Sequence, residues 1–157
     1  MYFALVLFTI VLLWIAAANF LTIRRPQNLS QADQSVTVLI PVRNEAENIV
    51  EWIDSLTKQI HLSSLEIIFI DDSSTDSTNK LLKTAVSEGA PIKIVSAPEL
   101  PNGWLGKPWA LQQGYLIARS EIIVTLDADV RLVPTAISQG IAMMGERDFV
   151  SPYPRQI

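Results

Sequence analysis

The segment Ile122-Ile123-Val124-Thr125-Leu126-Asp127-Ala128-Asp129 carries the strongest indication of the fold. Its first five residues are rich in β-branched types and are too few for a helix, so they predict a buried strand. Two carboxylates follow at the carboxyl edge of the sheet, where open α/β sheets bind ligands. Carboxylate oxygens there suit Mg²⁺ or Mn²⁺, and such a cation usually brings phosphates with it. An acidic loop that caps the next helix is the alternative interpretation.

Strand-like and helix-like segments alternate outward from this stretch. Further strands are predicted at residues 36–40, 65–70 and 92–95, with Pro41 stopping the first and Phe149-Val150 beginning a fifth. Helices are predicted at residues 49–60, 76–88, 109–118 and from 134 onward, with Asn44 and Glu47 as a capping pair before the first of them. This alternation predicts right-handed βαβ units, a mostly parallel sheet and helices on both faces, which is an α/β fold.

Polar side chains follow three of the predicted strands at the point where each strand ends. They are Arg43, Asn44, Glu45, Asp71, Asp72, Asp127 and Asp129. Because parallel strands end at the same edge of a sheet, we expect these groups to lie close together. Helix capping alone does not explain so many of them, so this edge is the candidate site.

The common phosphate-binding loops do not occur in this sequence. No glycine follows the first strand, which excludes the dinucleotide fingerprint. Gly106-Lys107 comes closest to a P-loop, but Pro101 stands at the first glycine position and Pro108 replaces the hydroxyl residue. A metal ion on the Asp-x-Asp pair, with Lys107 as a point charge, can hold phosphates in place of such a loop.

Composition excludes several other classes. The chain is 49% hydrophobic and 18% charged, which is typical of a globular domain with a membrane segment. A formal net charge of −4 argues against a nucleic-acid partner. The chain has no cysteine, which excludes disulfides, thiol catalysis and cysteine-ligated zinc. Its single histidine, His61, lies in a polar turn and is interpreted as solvated.

The amino-terminal segment predicts a membrane anchor. Residues 2–23 carry no charge and, at about 1.5 Å per residue, span the roughly 30 Å hydrocarbon core. Arg24-Arg25 follow, so the positive-inside bias keeps the rest of the chain in the cytoplasm. A signal peptide cleaved after Ala16-Ala17-Ala18 and a buried core helix are alternatives. We expect a single-pass anchor in the cell membrane over residues 1–25, a linker over 26–35 and a domain over 36–157.

Four blocks of sequence resemble the family 2 glycosyltransferases with the Rossmann-like GT-A fold, over about residues 36–150. They are Val38-Leu39-Ile40-Pro41-Val42-Arg43-Asn44-Glu45, Asp71-Asp72-Ser73-Ser74-Thr75-Asp76, Gly106-Lys107 and Asp127-Ala128-Asp129. The Gly103-Trp104-x-Gly106-Lys107 variant, together with an amino-terminal membrane helix, is similar to the branch that glycosylates carotenoid or hopanoid lipids.

The resemblance implies a role for each block. Pro41, Arg43 and Glu45 would line the nucleotide pocket, and Asp72, together with Asp71, would bond the uracil or ribose. Lys107 would lie near the nucleotide. Asp127 would contact the ribose or sugar, and Asp129, with Asp127, would bind the Mg²⁺ or Mn²⁺ that bridges the diphosphate. The implied reaction is inverting transfer from a nucleotide-sugar, of the UDP-sugar type, to a lipid-type hydroxyl acceptor at a membrane.

The family's general base and its acceptor-side Q-x-x-R-W-like stretch do not match any part of the 157 residues. The resemblance therefore covers the donor half of a site, the catalytic base is unassigned, and we expect the sequence to be a truncated or split part. A non-catalytic nucleotide-sugar-binding fragment or remnant is the alternative function. A sugar-phosphate nucleotidyltransferase is a third hypothesis, disfavoured because no glycine-rich loop follows the first strand.

Overall fold

The structure of the chain is a computed structural model that describes residues 2–22, 32–127 and 130–152. Nine elements follow one another along these residues. They are α1 (Tyr2–Thr22), β1 (Ala32–Val42), α2 (Ile49–Thr57), β2 (Leu62–Asp71), α3 (Thr78–Ser87), β3 (Ile92–Ser96), α4 (Gly106–Ile117), β4 (Ile122–Thr125) and α5 (Ala136–Met144).

Four parallel strands form one sheet in the order β3-β2-β1-β4. The chain adds β2 and β3 on one side of β1, and α4 then carries it back to place β4 on the other side. The strand order therefore reverses between β1 and β4, the position where open α/β sheets bind ligands. The predicted α/β fold with a parallel sheet is confirmed.

Each face of the sheet packs against helices. Val38 and Ile40 of β1 belong to the larger core, which also holds Trp52 of α2, Leu82 of α3 and Ile137 of α5. The opposite face buries Leu39, Ile68 and Ile70 against Ala110 of α4. Alternate strand residues point to opposite faces, so the continuous apolar runs of β1 and β2 supply both cores. Helices on both faces were predicted and are confirmed.

Pro41 lies inside β1, opposite Ile70, so the prediction that it stops the strand is wrong. The O atom of Leu39 accepts from Leu126 N (3.1 Å), and that of Val42 accepts from Asp72 N (2.9 Å). Because successive residues of a parallel strand bond to opposite neighbours, the ring nitrogen of Pro41 faces the β4 side. β4 pairs only with residues 36–39, so the proline removes no ladder hydrogen bond there.

Other boundaries also differ from the prediction, and three of the differences change an assignment. β1 begins at Ala32, so residues 32–35, predicted as the end of the linker, are part of the sheet. α4 begins at Gly106 rather than Trp109, and Pro108 lies in its first turn, where a missing N–H group is tolerated. Residues 149–150 form no strand. Phe149 is 78% exposed there, so it contributes no buried strand face.

α1 is a 21-residue helix with no buried residue, and its most apolar 18-residue window has a mean hydropathy of 2.5. Its length and composition would allow it to cross a membrane, although a signal sequence would pass the same test. The described residues of the domain bury none of it, which argues against the core-helix alternative. Arg24 and Arg25, which carry the prediction of orientation, lie outside the described residues.

Gly114 lets α4 approach the sheet closely. A Cβ atom at this position would lie 2.9 Å from Ile70 Cδ1 and 3.0 Å from Leu39 Cδ2. Gly114→Leu should therefore lower the free energy of unfolding by about 1–3 kcal/mol through overpacking, measured by urea denaturation. Gly140→Leu in α5 is the matched control, because a Cβ there meets nothing within 4 Å and leucine forms helix better than glycine. Equal destabilisation by both substitutions would contradict the close approach of α4.

Candidate functional site

The candidate site lies at the carboxyl edge of the sheet, on both sides of the switch point between β1 and β4. The structure brings four of the predicted site residues together as two ion pairs. Arg43 Nη1, just after β1, lies 3.8 Å from Asp72 Oδ2, just after β2. Lys107 Nζ, in the first turn of α4, contacts Asp127 Oδ1, just after β4. Basic and acidic groups therefore alternate along this edge.

The two aspartates after β2 occupy different environments. Asp71 is 6% exposed, and its carboxylate accepts hydrogen bonds from Ser74 N (3.0 Å) and Asn79 Nδ2 (2.8 Å). It therefore fixes the shape of the loop between β2 and α3. The side chain of Asp72 is 19% exposed and faces the edge of the sheet beside Arg43. Of the two carboxylates, Asp72 is the one that a ligand at this edge can reach.

Gly106 places the amino terminus of α4 against Asp72. A Cβ atom on this glycine would lie 2.9 Å from Asp72 Oδ2, so a larger residue would displace the carboxylate. The positive end of the helix dipole also favours a carboxylate at this position. The glycine of the Gly106-Lys107 pair thus has a packing role as well as a helix-starting role.

Asn44 joins the loop after β1 to the loop after β2. Its backbone φ is 57°, a left-handed conformation that asparagine tolerates better than most residues. Its Oδ1 accepts from Thr75 N (2.8 Å), and its N donates to Ser74 Oγ (3.1 Å). α2 begins at Ile49, after Asn48 in the cap position, so the prediction that Asn44 and Glu47 form a capping pair is wrong. The long-range hydrogen bonds of Asn44 replace that local role.

Thr78 and Asp76 extend this connection between the two loops. Thr78 is fully buried, and its Oγ1 accepts from Glu45 N (2.8 Å). Asp76 accepts from Thr78 N (2.9 Å) and Ala46 N (3.2 Å). The hydrogen bonds from Thr78, its side chain first, lower the pKa of Asp76 below its ordinary value and keep the carboxylate charged. The hydrogen bond from Glu45 N to Thr78 fixes the backbone of Glu45. The side chain of Glu45 is also bonded, because its Oε2 accepts from Asn48 Nδ2 (2.7 Å). Pro41 lies half-buried at the base of this loop.

Asp127 and Lys107 are both exposed to solvent, with side-chain exposures of 62% and 53%. Leu126 N donates to Leu39 O and extends the path of β4, and Val130 N donates to Asp127 O (3.2 Å). α5 begins at Ala136 after Thr135, so Asp127 does not cap it, and the helix-cap alternative is wrong. Asp129, the other predicted metal ligand, lies outside the described residues.

The chemistry of this edge fits a hard divalent cation. Asp127 presents a carboxylate to solvent at the end of the strand, and carboxylate oxygen is the ligand that Mg²⁺ and Mn²⁺ prefer. Among residues 2–22, 32–127 and 130–152, no group of three or more His, Asp or Glu side chains could hold a metal. Mg²⁺ is typically held by one or two carboxylates together with substrate phosphates, so a complete protein cage is not required.

Comparisons with known proteins identify the family of the chain. The chain matches the family described as glycosyl transferase family 2 over residues 37–155. Over 131 residues it is 31% identical to the 4,4'-diaponeurosporenoate glycosyltransferase of Staphylococcus haemolyticus, covering 81% of this chain and 34% of that protein. Over 112 residues it is 33% identical to the undecaprenyl-phosphate 4-deoxy-4-formamido-L-arabinose transferase of Yersinia pestis, covering 70% of this chain and 33% of that protein.

The chain is also similar to a solved structure, that of glucosyl-3-phosphoglycerate synthase from Mycobacterium tuberculosis in complex with Mn²⁺, UDP and glucosyl-3-phosphoglycerate. Its TM-score with this chain is 0.60 at 26% identity, covering 81% of this chain and 47% of that one. The parallel α/β sheet with helices on both faces is of the GT-A type. The chain belongs to glycosyl transferase family 2. It spans about a third of the length of the two curated relatives.

Proposed function

We propose that this domain binds the donor, a nucleotide-sugar of the UDP-sugar type, for metal-dependent inverting transfer to a lipid-type acceptor at a membrane. The observation that carries the proposal is the position of the ion pairs Arg43–Asp72 and Lys107–Asp127 at the switch point of a family 2 sheet. A nucleotide-sugar presents a hydrogen-bonding base and ribose at one end and a charged diphosphate at the other. The two ion pairs offer one partner group for each end.

The base and ribose are assigned to the β1–β2 side of the site. Asp72 accepts hydrogen bonds from the uracil or ribose, while Arg43 holds its carboxylate at the edge. Pro41 and Glu45 line the pocket, and the bond from Glu45 N to Thr78 keeps their loop in place. Asp71 supports this side by shaping the loop on which Asp72 lies.

The diphosphate and sugar are assigned to the α4–β4 side. Asp127 and Asp129 are the residues that would hold Mg²⁺ or Mn²⁺, and the cation, when bound, offsets the charge that develops on the departing diphosphate. Mn²⁺ and UDP in the Mycobacterium tuberculosis relative support this assignment. Lys107 Nζ adds a positive charge next to Asp127 and orients the diphosphate. The acceptor hydroxyl oxygen bonds to the anomeric carbon from the opposite side as the bond to the diphosphate breaks, which inverts the configuration. The hydroxyl proton passes to a general base, which is unassigned in this chain, and the nucleoside diphosphate leaves.

The lipid-type acceptor is supported by two apolar features and by the relatives. α1 exposes 21 mostly apolar residues, which fits a single-pass anchor that holds the domain at the cytoplasmic face of the cell membrane. The loop before α4 exposes Leu100, Trp104 and Leu105 close to Lys107. The two curated relatives are named for diaponeurosporenoate and undecaprenyl phosphate. A carotenoid- or hopanoid-type lipid is therefore the acceptor class that we propose.

Calorimetry of UDP binding to the full chain in detergent micelles tests the donor site. UDP should bind in the presence of Mn²⁺ or Mg²⁺ and at least about 100-fold more weakly with a chelator. The reason is repulsion, because one like-charged pair at 4 Å costs roughly 4 kcal/mol at an effective dielectric of about 20. A cation between the diphosphate and Asp127 reverses that sign.

Uridine, which has no diphosphate, is the matched control ligand. Its affinity should be weak and should not change when Mn²⁺ is replaced by chelator. If UDP bound equally well with metal and with chelator, the metal-dependent site would be refuted. If UDP did not bind under either condition, the donor-site proposal itself would be refuted.

A further inference from the structure

Arg131 connects the turn after β4 to helix α2. Its Nη2 donates to Asn48 Oδ1 (2.7 Å) and its Nε donates to Glu51 Oε2 (3.1 Å). The guanidinium carbon also lies 5.6 Å from the centre of the Trp52 ring, within the range of a cation–π contact. Three neighbouring residues of one helix end therefore bind a single side chain, which lies four positions after Asp127 in the sequence.

Asn48 continues this connection to the opposite side of the site. Its Nδ2 donates to Glu45 Oε2 (2.7 Å) while its Oδ1 accepts from Arg131. A chain of hydrogen bonds thus runs from the turn after β4 to the loop after β1. The loop after β1 carries the residues assigned to the nucleotide, and the turn after β4 carries Asp127.

Trp52 of α2 lies beside the segment that follows β4. It is 2% exposed, stacks on Phe69 at 6.3 Å between ring centres, and lines a small cavity together with Leu126, Asp127 and Val130. Arg131 covers one face of this ring, and its side chain is 34% exposed. Leu126, Asp127 and Val130 therefore lie beside a buried aromatic ring, and the guanidinium group of Arg131 connects this segment to α2.

We propose that Arg131 is a positioning residue that fixes the turn bearing Asp127 relative to Glu45. A planar guanidinium can donate to Asn48 and Glu51 at once and lie over the Trp52 ring, whereas a lysine ammonium cannot reproduce that geometry. This role of Arg131 rests on the proposed donor site, because Arg131 keeps the side assigned to the phosphates and the side assigned to the nucleotide at a fixed separation. Arg131 acts through Asp127 and Glu45 and does not itself touch the donor.

Amide hydrogen exchange on the full chain in detergent micelles tests the positioning role without any ligand. Arg131→Met should increase exchange across residues 126–132 by about tenfold, because it removes both hydrogen bonds that the guanidinium donates to Asn48 and Glu51. Exchange in residues 62–71 of β2 should not change. The control is Lys58→Met, which removes an exposed ion pair with Asp54 from the same helix without touching the turn. If Arg131→Met prevents folding, Arg131→Lys should show the same local increase.

A second measurement connects the position of the turn to metal binding. The Mn²⁺ concentration that gives half-maximal UDP binding should rise about tenfold in Arg131→Met and stay constant in Lys58→Met, while affinity with chelator is unchanged in both. Equal exchange at residues 126–132 in the two variants would overturn the proposal. If the unaltered chain bound no UDP, the donor-site proposal would fail, and hydrogen exchange alone would still decide the role of Arg131.

Discussion

Asp127→Asn should reduce the affinity of the chain for UDP in the presence of Mn²⁺ by at least about tenfold. The substitution removes one of the two carboxylates that we assign to the cation, and it leaves Lys107 without its ionic partner. Affinity with chelator should stay constant or rise slightly, because one negative charge no longer repels the diphosphate. Calorimetric titration of UDP at fixed Mn²⁺, repeated with chelator, measures both quantities.

Asp129→Asn should give the same pattern, since we assign it to the same cation. Asp54→Asn is the control, because it neutralises an exposed aspartate of α2 whose ion pair with Lys58 lies outside the site. A uniform loss of UDP affinity with Mn²⁺ and with chelator would contradict the assignment of Asp127 to the metal. It would indicate that this carboxylate bonds the nucleotide directly.

Asp72→Asn should weaken UDP binding by about 10- to 100-fold, and by the same factor with Mn²⁺ and with chelator. We assign Asp72 to the uracil or ribose, and a hydrogen bond to a charged group contributes about 1.5–3 kcal/mol. The substitution also removes the ion pair with Arg43, which keeps the carboxylate at the edge of the sheet. Uridine affinity should fall by the same factor as UDP affinity, because both ligands carry the base and ribose.

Gly106→Ala provides an independent test of the same carboxylate without changing any charge. The new methyl group would lie 2.9 Å from Asp72 Oδ2 and force it away. We expect a similar loss of uridine and UDP affinity, measured by the same titrations. Unchanged uridine affinity in both Asp72→Asn and Gly106→Ala would remove Asp72 from the nucleotide-binding residues.

The sequence contained enough information to predict the sheet and the edge at which its charged residues meet. Apolar runs such as residues 65–70 are too short for a helix and therefore predict strands. Charged residues follow these runs directly, so the same segments also predict where the candidate site lies. Parallel pairing then brought Asp72 and Asp127 to one edge, as predicted. The Gly106-Lys107 pair was also identified, although it lies inside the first turn of α4 rather than in a loop.

Long-range contacts could not be predicted from a single sequence. Arg131 binds Asn48 and Glu51 across about 80 positions, and no local pattern marks such a pairing. Asn44 was interpreted as a helix cap because asparagine favours that role locally, but hydrogen bonds to the loop after β2 determine its conformation. Pro41 is predicted to end a strand because proline cannot donate a ladder hydrogen bond. It is tolerated inside β1 because β4 is short and leaves the nitrogen of Pro41 unopposed, and the length of a neighbouring strand cannot be read from the residues around Pro41.

The first turn of α4 has a consequence for the way a donor is accommodated. Two consecutive residues of one rigid helix contact the two ends of the site, Gly106 at Asp72 and Lys107 at Asp127. A small rotation or shift of this helix must change both contacts together, so the two ends cannot adapt independently to a ligand of different length. The helix would then fix the distance between the part of the site assigned to the nucleobase and the part assigned to the diphosphate, whichever sugar is attached.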